Sequence, residues 1–264
     1  MTKKRIDVLL VERGLAESRN RAQRLIKTGK VQVNGEVVEK PGIQVPDQAD
    51  IVILQGLQFV SRGGHKLAAA VDAFKVQISG KICVDVGAST GGFTDCLLQN
   101  GAEKVYAIDV GVGLLHKSLR DDPRVILMEG TNARYLINLP EAVDLVSVDA
   151  SFISLNLILP VVKGWFAGVE GQVIALIKPQ FEAGPRAAAA HAGVIKDRRI
   201  HRAVLGKVIS EVINMGYYPV GLIQSPIRGP KGNIEFLVDL RLQPTAEAVD
   251  VERMIGSAIK PDEH

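Results

Sequence analysis

Asp85, Asp109, Asp149, Lys178 and Glu235 each stand where a strand of this chain should meet a loop. Side chains of these types in those places could hold an adenosine and move a proton. Ile82, Val84 and Val86 make a short apolar strand, and Asp85-Val-Gly87-Ala-Ser89-Thr-Gly91-Gly92 makes a small-residue loop after it. A helix carrying Phe93, Cys96, Leu97 and Leu98 comes next. Glycines at such a junction allow positive φ and a close approach of backbone to ligand. The helix start adds unpaired N–H groups and a partial positive charge. The following strand, Lys104 to Asp109, ends in a carboxylate 22 residues beyond Gly87, placed to take both hydroxyls of a ribose. The spacing matches neither G-x-G-x-x-G nor a lysine-closed P-loop. An acidic glycine loop and a ribose acid suit S-adenosylmethionine at least as well as a nicotinamide dinucleotide, and spacing alone leaves both open. This reading assigns Asp85, Gly87, Ser89, Gly91, Gly92 and Asp109 to the cofactor.

The acid–base groups come later in the chain. Asp144-Leu-Val-Ser-Val-Asp149 and Gln172-Val-Ile-Ala-Leu-Ile-Lys178 read as strands ending in a charge, and Gly232 to Leu240 as a strand with Glu235 near its start. Ligand groups belong at the carboxyl ends of parallel strands, so Asp85, Asp109, Asp149 and Lys178 are expected on one rim. Glu235 joins them if its strand runs antiparallel. Two lysines, an aspartate and a glutamate on one rim can hold a ribose hydroxyl and take its proton. A free lysine has a pKa of about 10.4, whereas an efficient base near neutrality needs about 7–8. A second ammonium and partial burial lower it, while carboxylates raise it and fix its direction.

These residues need an α/β scaffold. Strands are expected at 82–86, 104–109, 124–128, 144–149, 172–178 and 232–240, with long helices at 154–168 and 198–215. The chain has 264 residues, of which 47% are hydrophobic and 23% charged, enough for two domains with a real core. No run approaches the roughly 18 apolar residues of a membrane helix, and Met-Thr-Lys-Lys-Arg lacks the apolar stretch of a secretory signal. Two cysteines, Cys83 and Cys96, fit a reduced cytoplasmic interior. His65, His116, His191 and His201 are too scattered to suggest a metal site.

The net charge of +3 is unevenly placed. Residues 1–60 hold ten Lys and Arg against seven Asp and Glu, and the remainder is balanced at 22 of each. Such asymmetry points to a polyanion met by the N-terminal segment. There Ile6, Leu9 and Leu10 mark a helix stopped at Gly14; Ser18 caps a second with Ala22, Leu25 and Ile26 on one face. Its other face shows Arg19, Arg21, Arg24 and Lys27, with no acid in that span. Val31 and Val33 lead to Asn34-Gly35, a type I′ hairpin signal.

Arg5-Ile-Asp-x-x-Leu, Ser18-Arg19, Leu25-Ile-x-x-Gly29-x-Val-x-Val-Asn-Gly35 and Lys40-Pro41 resemble the S4 RNA-binding domain over about residues 5–52. The resemblance implies docking on structured RNA through Arg5, Arg19, Arg21, Arg24, Lys27 and Lys30. The rest of the chain resembles the FtsJ-type ribose 2′-O-methyltransferases, whose Lys-Asp-Lys-Glu tetrad would fall on Lys66, Asp149, Lys178 and Glu235. Phe59-Val-Ser-Arg-Gly-Gly-His-Lys-Leu, Asp85-Val-Gly-Ala-Ser-Thr-Gly-Gly-Phe-Thr-Asp, Val148-Asp-Ala-Ser-Phe-Ile-Ser and Ile177-Lys-Pro-Gln-Phe-Glu are similar to the TlyA, or hemolysin A, family. That similarity implies an rRNA cytidine-2′-O-methyltransferase acting on ribosomal subunits, with S-adenosylmethionine held by Gly87, Asp109 and Asn132 and touched by Asp149. The fold expected is a Rossmann-like α/β methyltransferase sheet at 61–264, a linker at 55–60, and a small α+β RNA-binding domain at 1–54.

One stretch departs from the family. Arg186 is followed by Ala187 to Ala190 where a charged, glycine-containing loop is usual, which weakens the case for substrate contacts within 185–196; for His191 and Lys196 a solvated loop is favoured over contact with RNA. The competing readings are a non-catalytic RNA-binding protein on a methyltransferase fold, a membrane-active hemolysin and a nicotinamide-dependent enzyme. A degenerate enzyme would lack tetrad residues or the glycine loop, and this chain keeps all of them.

Overall fold

The computed structural model describes residues 3–54, 58–168, 170–184, 193–229, 231–244 and 249–259. Part of the expected linker at 55–60, His191 and the Ala187–Ala190 run lie outside the described residues. The chain divides into two compact units, 1–60 and 61–264.

In the first unit β1 (Lys3–Arg5) runs directly into α1 (Ile6–Glu12), and α2 (Arg19–Lys27) follows. Ser18 caps α2 as its spacing foretold, its Oγ accepting the Arg21 N–H at 3.2 Å. β2 (Val31–Val33) turns into β3 (Glu36–Val37) through Asn34 and Gly35, both at positive φ (51° and 84°) as a type I′ turn requires. Two further strands, β4 (Gln44–Pro46) and β5 (Ile51–Ile53), pair antiparallel with β1 and β2. Three-residue strands are too short for alternation to reveal them. Asn34 ties the hairpin to β5, its Oδ1 accepting the Asp50 N–H at 2.9 Å. Ile6, Leu9, Leu10, Ala22, Ile26 and Val31 form the centre of the core.

The second unit opens with α3 (Gly63–Phe74), then β6 (Ile82–Val86), α4 (Gly92–Gln99), β7 (Lys104–Ile108), β8 (Val125–Met128), β9 (Leu145–Val148) and β10 (Gln172–Ile177). The helix Arg198–Asn214, β11 (Tyr218–Gln224) and β12 (Phe236–Arg241) follow, and Val251–Ala258 forms a last helix. The sheet order is β11-β12-β10-β9-β6-β7-β8. β12 alone runs against the others, since it is antiparallel to both β10 and β11. Strand order reverses between β6 and β9, the place where open α/β sheets bind ligands.

Two elements differ from the sequence reading. Residues 154–168 do not form one helix: a 3-10 turn at Leu155–Leu157, a short helix at Leu159–Val162 and a second 3-10 turn at Lys163–Trp165 replace it. Pro160 lies in the first turn of that short helix, where proline is tolerated, and its missing N–H prevents a continuous helix from Ser154. β11 was not anticipated because Pro219 and Gly221 break its pattern. It is an edge strand with a register shift between those residues, the setting in which proline is accommodated.

Candidate active site

The site is assembled where β6, β7 and β9 end. Gly87 leaves β6 at φ 86°, and its N–H and that of Ala88 donate to the Ile108 carbonyl at 2.8 and 3.1 Å. A Cβ on Gly87 would lie 2.7 Å from the Asp149 carbonyl oxygen, so only glycine fits between the ends of β6 and β9. Asp149 is held beside it, its N–H donating to the Val86 carbonyl at 2.9 Å.

Asp109 sits at the end of β7 with one donor on each carboxylate oxygen. The Ser89 N–H donates to Oδ2 at 2.8 Å and the Gly111 N–H to Oδ1 at 2.7 Å. Each oxygen keeps a further lone pair, the acceptor set that two ribose hydroxyls need. Val110 and Val112 beside it are 68% and 72% exposed and make an apolar wall next to this carboxylate. Asn132 is exposed beyond β8; its Oδ1 accepts the Arg134 N–H at 3.1 Å, which leaves Nδ2 as a donor. This collection of groups fits an adenosine-bearing cofactor.

Three loop residues carry structural duties that the sequence reading does not assign. Asp85 is fully buried and faces inward, accepting the Thr94 N–H at 2.8 Å, the Thr94 hydroxyl at 2.7 Å and the Ser147 hydroxyl at 3.3 Å. It caps the first turn of α4 from the preceding strand and does not reach the rim. Gly92 is a packing glycine, since a Cβ there would lie 2.7 Å from the Gly64 N and push α4 away from α3. Gly91 takes the left-handed conformation at the α4 cap, φ 98°, and a Cβ on it would press on Leu119 first and on Leu115.

Burial pushes the Asp85 carboxyl up to about 7, outweighing the hydrogen bonds of Thr94 that lower it. The folded protein therefore keeps this proton to a higher pH than the unfolded chain, whose carboxyl titrates at about 3.9. Stability should fall as pH rises through that interval and be level above it. Asp85→Asn keeps an acceptor but cannot ionise, so its stability relative to the parent should rise between about pH 4 and 7, at up to ~1.4 kcal/mol per pH unit. Urea unfolding of both proteins at pH 4.5 to 8 checks this, and parallel curves would contradict it.

The four tetrad positions form two ion pairs. Lys66, one turn into α3, donates to Glu235 Oε2 at 2.7 Å, with both side chains buried. Lys178 Nζ lies 2.5 Å from Asp149 Oδ1 and donates to the Ser151 hydroxyl at 2.8 Å. Glu235 reaches this edge because β12 is antiparallel, with Phe236 opposite Ile177.

Ser151 went unassigned in the sequence, although it stands inside a motif that the resemblance singled out. The structure shows why that motif and the one at Lys178 belong together. Glu182 is buried, accepts the Leu155 N–H at 2.8 Å and takes a bond from the Ser154 hydroxyl. The Phe152 and Phe181 rings pack with centroids 4.9 Å apart. Asn233 went unassigned as well. It is buried, accepts the Ile195 N–H at 2.9 Å and donates to the Gly193 carbonyl at 2.8 Å, fixing the approach to Glu235.

In the first unit Arg21, Arg24 and Lys27 are exposed on α2 and Lys30 is half-buried. None of the four forms an ion pair among the described residues. Arg5 and Arg19 do, with Asp7 of α1. The α2 face is therefore not free of acids, as its own sequence suggested, because the acid arrives from another helix. Among the described residues no helix is long and apolar enough to cross a membrane.

A family model described as FtsJ-like methyltransferase matches residues 59–242, and one described as S4 domain matches residues 4–51. The chain is 47% identical over 246 residues to the putative rRNA methyltransferase YqxC of Bacillus subtilis, covering 90% of this chain and 85% of that protein. It is 44% identical over 245 residues to the 16S/23S rRNA (cytidine-2′-O)-methyltransferase TlyA of Mycobacterium tuberculosis, covering 90% of each. Among solved structures, a putative hemolysin from Streptococcus thermophilus superposes with a TM-score of 0.72 at 41% identity, covering 98% of this chain and 96% of that one.

Proposed function

This chain belongs to the FtsJ-like methyltransferase family and carries an S4 domain ahead of the methyltransferase domain, and from that premise we propose that it methylates a cytidine ribose 2′-hydroxyl in ribosomal RNA, with S-adenosylmethionine as donor. The observation that carries the reading is the pairing of Lys178 with Asp149, next to the Gly87 crossing and on the same rim as Asp109. Such a protein works where ribosomes are made, in the cytoplasm.

Asp109 would hold the cofactor's ribose, Asn132 and the Val110–Val112 wall its adenine, and the Gly87–Ser89 backbone would lie along it. S-adenosylmethionine supplies a methyl group on a sulfonium. In the proposed mechanism Lys178 Nζ takes the proton of the 2′-hydroxyl as that oxygen becomes nucleophilic. Asp149 and Ser151 aim Lys178, and Glu235 aims Lys66, whose ammonium steadies the charge growing on the oxygen. Holding the hydroxyl in line supplies much of the remaining acceleration through proximity.

Asp109→Ala tests the cofactor site. The loss of charged hydrogen bonds at ~1.5–3 kcal/mol should weaken S-adenosylmethionine about 10- to 100-fold in calorimetry. Unchanged affinity, or heat of binding from a nicotinamide dinucleotide in its place, would overturn the assignment. The 1–60 unit is proposed as the part that docks on ribosomal RNA, through Arg5, Arg19, Arg21, Arg24, Lys27 and Lys30. The basic excess of the first sixty residues supports this.

A further inference from the structure

Asp7 is the most fully committed side chain of the first unit. Its carboxylate is wholly buried, and four hydrogen bonds converge on it. Arg5 donates from Nε to Oδ1 and from Nη2 to Oδ2, each at 3.0 Å. Arg19 donates from Nε to Oδ2 at 3.0 Å, and Gln23 from Nε2 to Oδ2 at 2.9 Å. Two guanidiniums thus meet on one carboxylate oxygen. Their outer ends are open, with the Arg5 and Arg19 side chains 42% and 55% exposed. Arg19 spends only Nε, leaving both Nη groups as donors, and Arg5 keeps Nη1.

One buried carboxylate needs one cation. The second guanidinium leaves a surplus positive charge at the surface, with donors aimed in fixed directions. Helix stability does not account for that charge, because Arg19 opens α2 at the positive end of the helix dipole, a poor place for a cation. We infer that Arg5 and Arg19 form a fork for one RNA phosphate and that Asp7 is the positioning residue that sets it. The inference rests on the reading of this unit as an RNA-docking module. Asp7 suppresses the repulsion between the two guanidiniums and holds their planes, so that a phosphate meets them already arranged.

The consequence runs against simple charge counting. Asp7→Asn makes the full-length protein more positive, so an electrostatic film of cations would bind RNA more tightly. With the fork lost, affinity for purified small and large ribosomal subunits should instead weaken about tenfold. The salt dependence should flatten by about 0.7–0.9, the share of one phosphate. Arg19→Lys, which keeps the charge on an exposed side chain but loses the planar fork, should weaken binding in the same direction. Gln23→Ala removes a neutral donor from the same carboxylate and should leave both readouts close to the parent.

Filter binding over a salt series reads affinity and slope together, with thermal unfolding of each variant alongside. If Asp7→Asn unfolds the module, Arg19→Lys decides alone. Binding by Asp7→Asn as tight as the parent or tighter, or an Arg19→Lys protein with parental affinity and slope, would overturn the fork. A parent protein that binds neither subunit would refute the docking reading itself, before any variant is compared, and the fork with it.

Discussion

Lys178→Ala should lower single-turnover methyl transfer to ribosomal RNA about 10²-fold or more, while cofactor and RNA affinity change little. The expectation follows from position. Lys178 is buried at the end of β10, aimed by Asp149 at 2.5 Å and by Ser151 at 2.8 Å. Lys178→Arg should be nearly as poor, because a guanidinium remains protonated and cannot accept the hydroxyl proton. Lys66→Ala and Glu235→Ala should also be damaging, since each leaves its partner buried without a counter-charge. Single-turnover rates at saturating cofactor and RNA separate chemistry from binding. An arginine variant with a near-parental rate would make Lys178 a fixed positive charge and remove the general-base role.

The second large effect belongs to the other unit. Replacing Arg21, Arg24, Lys27 and Lys30 together with alanine should flatten the salt dependence of subunit binding by about 0.7–0.9 for each phosphate no longer neutralised. Methylation at moderate salt should fall with it, while S-adenosylmethionine affinity stays parental. These side chains form no ion pair among the described residues, so the substitutions break no internal pairing of that kind. Unchanged slope in the quadruple variant would mean that RNA is held elsewhere.

Much of this arrangement was legible in the sequence because strand, loop and helix follow one another at fixed spacing. Gly87 and Asp109 were placed by that rhythm, and the Asn34-Gly35 turn and the Ser18 cap by local chemistry that needs no tertiary context. What was hidden depends on direction or on partners far away in sequence. Asp85 could not be seen to face inward, because β6 is a central strand buried on both faces and its pattern does not distinguish core from rim. Glu235 needed the reversal of β12. Asp7 gathers Arg19 and Gln23 only once α2 is brought across it. The turns at 154–168 yielded to Pro160, and β11 to its edge position.

The central claim is the atom that receives the methyl group. The most direct measurement incubates the protein with methyl-labelled S-adenosylmethionine and ribosomal subunits from cells lacking it, then hydrolyses the RNA with alkali. A 2′-O-methyl group blocks cleavage at its own nucleotide. The account therefore predicts label in an alkali-resistant dinucleotide whose first member is cytidine, entering about 10²-fold more slowly, or slower still, with Lys178→Ala. Label released in mononucleotides would place the methyl on a base, and no incorporation into either subunit would deny the activity.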